Sequence, residues 1–160
     1  MNSFLRFSLI ALALGTMLGL GAVGGFAQDK AQAVKDRQAT MKRQGADLKY
    51  ISDYLKGVNN DQAGAIEKAN DLLSISPKIP DLFVPGTSTA DFPGVSHAKP
   101  EIWQEWDKFK MIPVALQANE VKLAEALKGG DKGAIGAVLG GVGKDGCGAC
   151  HTSYREKLPQ

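Results

Sequence analysis

Apolar residues recur along most of the chain three or four positions apart, with charged residues between them, which is the spacing of amphipathic helices. From Gln28 to about Lys56 the stripe Val34, Met41, Leu48, Ile51 and Leu55 predicts one long first helix with Met41 on its inward face. Gly57-Val58-Asn59-Asn60 ends it, and Asn60 or Asp61 can cap a second helix to about Ile75 that turns Ala65, Ile66, Ala69, Leu72 and Leu73 inward. From Ser76 to His97 the pattern fails. Pro77, Pro80, Pro85, Gly86, Pro93 and Gly94 exclude a continuous helix, and no alternating run is long enough for a strand. A third helix is expected from about Lys99, with Pro100 in its first turn, Ile102, Trp106, Phe109, Leu116, Leu123 and Leu127 inward, and a kink at Pro113. Gly129-Gly130 stops it, and Asp131 caps a fourth helix through Ile135, Val138, Leu139 and Val142 to about Leu158. The prediction is an all-α, antiparallel four-helix bundle whose one long connection joins the second and third helices.

The fourth helix is weak by intrinsic propensity. Gly133, Gly136, Gly140, Gly141, Gly143, Gly146 and Gly148 each cost roughly 1 kcal/mol relative to alanine in an exposed helix interior. Tertiary contact must therefore hold it, and a flat group packed against it would supply that contact while rewarding a backbone that can be approached closely.

Ahead of the first helix, Arg6 precedes an apolar run from Phe7 to about Val23 and then Gly25-Phe26-Ala27. That is the arrangement of a secretory leader, residues 1–27, cut after Ala27 to leave one domain, 28–160. Gly15, Gly19, Gly21, Gly24 and Gly25 weaken the reading as a spanning helix, so no stable membrane insertion is expected after cleavage, and export points to the periplasm. Charge adds little, since 19 Lys+Arg against 17 Asp+Glu leave a formal net charge of +2 and predict no nucleic-acid partner. Lys30, Lys35, Arg37, Lys42 and Arg43 crowd the first helix, but Asp29, Asp36 and Asp47 are interleaved with them, as on a solvated face.

The only two cysteines stand in Cys147-Gly148-Ala149-Cys150-His151. A disulfide across so short a loop would constrain little of the unfolded chain. A thioredoxin-like centre needs βαβ surroundings that are missing here, and a structural zinc site needs a fourth ligand beyond these three. The motif matches covalent attachment of haem c: two thiols add to the haem vinyl groups, and the following His151 is held at the iron as axial ligand. On a helix, Cys147 and Cys150 fall on one side with His151 beside them. His97, on the proline-rich connection, reads as a solvated loop histidine rather than a ligand. No acid–base pair or activated nucleophile is evident, so no enzyme is expected.

With these residues placed, the chain resembles the class II cytochromes c, the cytochrome c′ family. The resemblance rests on Arg37-Gln38 and Met41, on Leu82-Phe83-Val84-Pro85-Gly86-Thr87, on Lys99-Pro100-Glu101-Ile102-Trp103 with Lys108-Phe109, on Gly143-Lys144, and on the haem motif followed by Tyr154-Arg155. It implies one haem c in a four-helix bundle. Met41-Lys42-Arg43-Gln44-Gly45 looks like the low-spin branch of that family, which implies Met41 as second axial ligand and a periplasmic electron carrier served by redox partner proteins. The alternative is a five-coordinate, high-spin cytochrome c′ in which Met41 only lines the pocket and nitric oxide or carbon monoxide binds the iron. The resemblance also implies Arg37 and Gln38 near the haem propionates, Arg155 flanking the proximal side, and a possible homodimer through the first two helices. Trp103, Trp106 and Tyr154 read as packing.

Overall fold

The computed structural model describes residues 23–157, with side chains from residue 29 onward. The expected leader, 1–27, lies outside the described residues apart from the helical backbone of 23–27.

Helix α1, Val23–Leu55, begins ahead of the expected Gln28. Once a helix is nucleated each further residue adds a hydrogen bond, and no proline interrupts this stretch. Its inward register includes Val34, Arg37, Gln44, Asp47, Ile51 and Tyr54. The chain leaves it through Gly57 at φ +74°, a left-handed conformation that glycine adopts without a Cβ clash, and the amides of Gly57 and Val58 donate back to Tyr54 O and Asp53 O. Of the two candidate caps, Asp61 starts α2, Gln62–Ile75, by accepting from the Gly64 amide at 2.8 Å. Two 3-10 turns follow, Ser76–Lys78 and Pro80–Leu82, each with a proline in its first turn.

The third rod is not one helix from Lys99. Short α3, Glu101–Gln104, and α4, Trp106–Gly129, meet at Glu105, whose φ/ψ of −112°/35° lies outside the helical region. Both Glu105 carboxyl oxygens are engaged: Oε1 accepts from Lys108 Nζ and Oε2 from the Tyr154 hydroxyl. Pro113 sits inside α4. Gly130 closes the rod at φ +74°, and Asp131 caps α5, Lys132–Gly141, accepting from the Gly133 and Ala134 amides.

The fourth rod also departs from expectation. After α5 the backbone widens into a π-helical segment, Val142–Gly148, before α6, Ala149–Tyr154. It ends at Tyr154 rather than Leu158, because Arg155 is extended (φ −108°, ψ 133°) and forms an isolated antiparallel bridge with Ala98. That bridge is the only β pairing among the described residues, and the fold is an all-α four-helix bundle. α1 packs on α2 and α5, α2 on α4, and α4 on α5 and the π segment.

Phe109 lies at the centre of the haem-motif end of the core. The Phe83 ring meets it edge-on at 4.7 Å, Tyr154 does so at 5.4 Å, and Trp106 stacks on it at 5.5 Å. This cluster joins the long connection, α4 and α6. Trp103 donates its indole N–H to Phe83 O, so both tryptophans pack as expected.

Gly146 sets how closely the fourth rod approaches α4. A Cβ there would stand 2.4 Å from Leu116 Cδ1 and 3.3 Å from its Cβ and Cγ, whereas a Cβ at Gly140 meets nothing within 4 Å. Gly146→Ala should therefore lose about 1–3 kcal/mol of stability through overpacking, while Gly140→Ala gains up to about 1 kcal/mol from helix propensity. Urea unfolding midpoints that move the same way in both variants would contradict this account.

Candidate functional site

Cys147 lies at the end of the π segment, and Cys150 and His151 lie in the first turn of α6. The three open on two adjoining cavities between α1, α4 and the fourth rod. The larger, about 440 Å³, is bounded by Arg37, Gln38 and Met41 of α1, His97 and Ala98 of the connection, Ile102 of α3, and Cys150, His151, Tyr154 and Arg155. The smaller, about 160 Å³, is mostly apolar and includes Leu48, Ile79, Pro113, Leu116, Gly146 and Cys147. Met41, Cys150 and His151 line both. Together they reach the size range of cofactor sites, about 300–1,000 Å³.

Burial governs the titration of the motif. It pushes the Cys150 thiol up to about 11, with Cys147 adding to the effect, and raises Cys147 as well, reinforced by the charge of Glu120. Both sulfurs are therefore protonated thiols at neutral pH. That is the reverse of a reactive dithiol centre, which depends on a depressed thiol pKa. Burial, then the neighbouring Arg155 charge, lowers His151 and favours the neutral imidazole that can offer a lone pair to a metal. Among the described residues no cluster of three or more His, Cys, Asp or Glu could hold a metal ion unaided.

Arg37 is 5% exposed. Its Nη1 donates to Thr87 Oγ1 (3.0 Å) and Leu82 O (3.4 Å), and its Nη2 to Thr87 O (3.0 Å) and Ser96 Oγ (2.9 Å). The guanidinium also lies 4.8 Å from the centre of the Phe83 ring. Every partner is neutral, and no carboxylate pairs with it among the described residues. Desolvation lowers its pKa to about 10, so it remains a cation at neutral pH. A buried cation at the wall of an apolar cavity, with thiols and a neutral imidazole on the facing rod, suits a flat apolar cofactor carrying acidic substituents. The residues present thus fit haem.

Gln38 donates to Val95 O at 2.7 Å, and Arg155 is exposed at the rim. The structure brings all the expected site residues, Arg37, Gln38, Met41, Cys150, His151 and Arg155, to the larger cavity, with Cys147 on the smaller. It adds His97, set aside on sequence grounds. The backbone around His97 is pinned: the Ser96 side chain bonds Thr87 O, Ala98 bridges Arg155, and the Glu156 amide donates to His97 O. Periodicity carries no signal for such a loop position.

Fold and site together define a class, a helical bundle that encloses a cofactor-sized space against a Cys-x-x-Cys-His helix. A family model described as Cytochrome C′ matches residues 32–155. Cytochrome c-556 of Agrobacterium tumefaciens (strain II Chrys) is 34% identical over 125 residues, covering 78% of this chain and 97% of that protein. A solved cytochrome c′ described as having ligand-controlled dimer dissociation matches with a TM-score of 0.72 at 26% identity, covering 80% of this chain and 97% of that one. A nitric oxide complex of a cytochrome c prime variant from Alcaligenes xylosoxidans matches with a TM-score of 0.66 at 33% identity, covering 78% and 94%. The chain belongs to the cytochrome c′ family, whose members carry one covalently bound haem c.

Arg37→Met should remove four hydrogen bonds between α1 and the connection and leave Leu82 O and the Thr87 hydroxyl oxygen without their donor, lowering unfolding free energy by about 2 kcal/mol. Exposed Arg155→Met should change it by no more than about 0.5 kcal/mol. Denaturant titration of the two variants side by side checks the contrast; equal losses would refute it.

Proposed function

We propose that Cys147 and Cys150 hold the haem as thioethers, that His151 is the axial ligand, and that the opposite face of the iron is open to a diatomic gas such as nitric oxide or carbon monoxide. The observation carrying this reading is the pair of adjoining cavities that share Met41, Cys150 and His151. The nitric oxide complex of the Alcaligenes relative supports it.

The bound haem supplies an iron that takes a gas ligand or one electron. The chain does the rest. The two thiols, kept protonated by burial, bring the S–H that adds across each vinyl group. His151, kept neutral, presents its lone pair. Arg37 offsets propionate charge from a fixed position, with Gln38 on the same wall and Arg155 at the rim. Met41, half-buried and packed against the core, joins Leu48, Ile79 and Leu116 in an apolar wall that excludes water, and such a wall decides access to the iron.

One observation favours a second reading, the His/Met-ligated electron carrier: Met41 shares both cavities with His151. In either reading the protein binds or carries and transforms no substrate. Its redox partners are proteins, and the leader-like sequence of 1–27 supports a periplasmic location. The dimer of the solved relative supports a homodimer here.

Optical titration of the reduced holoprotein with carbon monoxide separates the readings. Ready binding with a shifted absorption spectrum is expected, and Met41→Ala should speed it. A sulfur-to-iron charge-transfer band in the ferric form, with no carbon monoxide shift until Met41 is replaced, would overturn the open-site reading in favour of methionine ligation. Mass spectrometry checks attachment: the chain should carry the haem mass, lost in Cys147→Ala/Cys150→Ala.

A further inference from the structure

Glu120 lies on the inward register of α4, one turn after Leu116 and three residues before Leu123, and is 1% exposed. Its Oε1 accepts a hydrogen bond from the Ser76 hydroxyl at 2.8 Å, and its Oε2 has no partner. No ion pair reaches it among the described residues. A well-packed leucine or methionine would serve the core at least as well.

Glu120 does not itself line the smaller cavity, but residues one turn from it and from its partner Ser76 do. Leu116 lines that cavity, as do Ile79, three residues beyond Ser76, and Cys147 of the π segment. Burial pushes the Glu120 carboxyl up, and the Ser76 hydrogen bond opposes this only in part. The carboxylate charge is felt at Cys147.

We propose that Glu120 is a proton-binding site linked to the haem iron, taking up a proton when the iron gains an electron and releasing it when the iron loses one. The proposal rests on the reading that Cys147 attaches the haem; it does not depend on whether Met41 or a gas faces the iron. In the reductive direction a one-electron donor supplies the electron to ferric iron and solvent supplies the proton to the carboxylate. Ferrous iron and a neutral carboxylic acid result, and the net charge of the interior is unchanged. A carboxylate in a weakly polar interior is favoured beside the more positive ferric centre and disfavoured once that charge is neutralised.

Apart from the haem propionates that Arg37 would offset, few groups compete for this role. From the 3-10 turn Ser76 is neutral, and from the π segment Cys147 stops titrating once it is a thioether, while Lys144 and Asp145 are exposed. On α2, Glu67, Lys68 and Asp71 line a groove beside Arg43 and Asp47 of α1. On α5, Lys132 bonds Tyr54 O. His151 of α6 is the proposed iron ligand, and burial and then the Arg155 charge lower it from the ordinary imidazole value. Arg37, Lys42, His97 and Arg155 line the larger cavity, and His97 is the one imidazole among them.

The test is a spectroelectrochemical titration of the holoprotein, with mediators as electron donors, from about pH 5 to about pH 9. The midpoint potential should fall with pH over part of this range, by at most about 59 mV per tenfold change in proton concentration. Glu120→Gln should flatten that part, and His97→Asn should retain it. Reduced-minus-oxidised infrared spectra of the wild type should show a protonated-carboxyl C=O band that appears on reduction, shifts in deuterated water and is missing from Glu120→Gln. A slope that persists in Glu120→Gln, a slope lost in His97→Asn, or a wild-type spectrum without the carboxyl band overturns the proposal. If Glu120→Gln does not fold, the wild-type infrared band decides alone, with carbon-13 labelling separating glutamate from aspartate and haem propionate, and Glu120 being the one buried glutamate among the described residues. Loss of the haem mass signals failure of the attachment reading; an intact haem without linkage signals failure of this proposal alone.

Discussion

A guanidinium buried among neutral acceptors fastens the long connection to the bundle. Arg37 reaches from α1 to Leu82, Thr87 and Ser96, two of them on opposite sides of the chain reversal between Phe83 and Ser96. A neutral side chain could match some of these bonds, but only arginine presents five donors in a rigid plane while keeping its charge this deep. With Thr87 and Ser96 held, Phe83 is placed over Phe109 and beneath the guanidinium, and His97 and Ala98 are brought to the cavity mouth. A segment whose regular structure amounts to two 3-10 turns and one isolated bridge thereby becomes a wall. The same guanidinium forms part of the cavity surface, so the group that shapes the site also gives it charge.

Opposing demands meet at the fourth rod. The attachment chemistry wants two thiols and an imidazole on one turn, close to the rest of the bundle, while seven nearby glycines weaken the helix that carries them. The conflict is resolved by contact: Gly146 lets the rod settle against Leu116, and Tyr154 locks its end through Phe109 and Glu105. Intrinsic propensity here is subordinate to packing.

The rods of the bundle were legible in the spacing of apolar residues because each is long and one-sided. The break at Glu105 was not, because the apolar spacing runs on across it through Ile102, Trp106 and Phe109; what divides the rod is the pairing of that carboxylate with Lys108 and with Tyr154, distant in sequence. Side-chain period is likewise blind to a change from α to π hydrogen bonding. At the site, the motif announced Cys147, Cys150 and His151, whereas Arg37, Gln38, Met41 and Arg155 depended on resemblance. Glu120 was readable and overlooked: it falls between Leu116 and Leu123 on the same inward stripe, where a charged residue is out of place.

The π segment has a consequence for how the attachment motif faces the bundle. An α-helix turns by about 100° per residue, so one residue gained or lost ahead of Cys147 would swing the motif away from the bundle. Wider i→i+5 turns hold roughly one more residue in nearly the same span. Val142–Gly148 thus shifts the facing of everything after it relative to a continuous α-helix, so the phase in which Cys147, Cys150 and His151 meet the bundle is set by these seven residues rather than by the α register of α5.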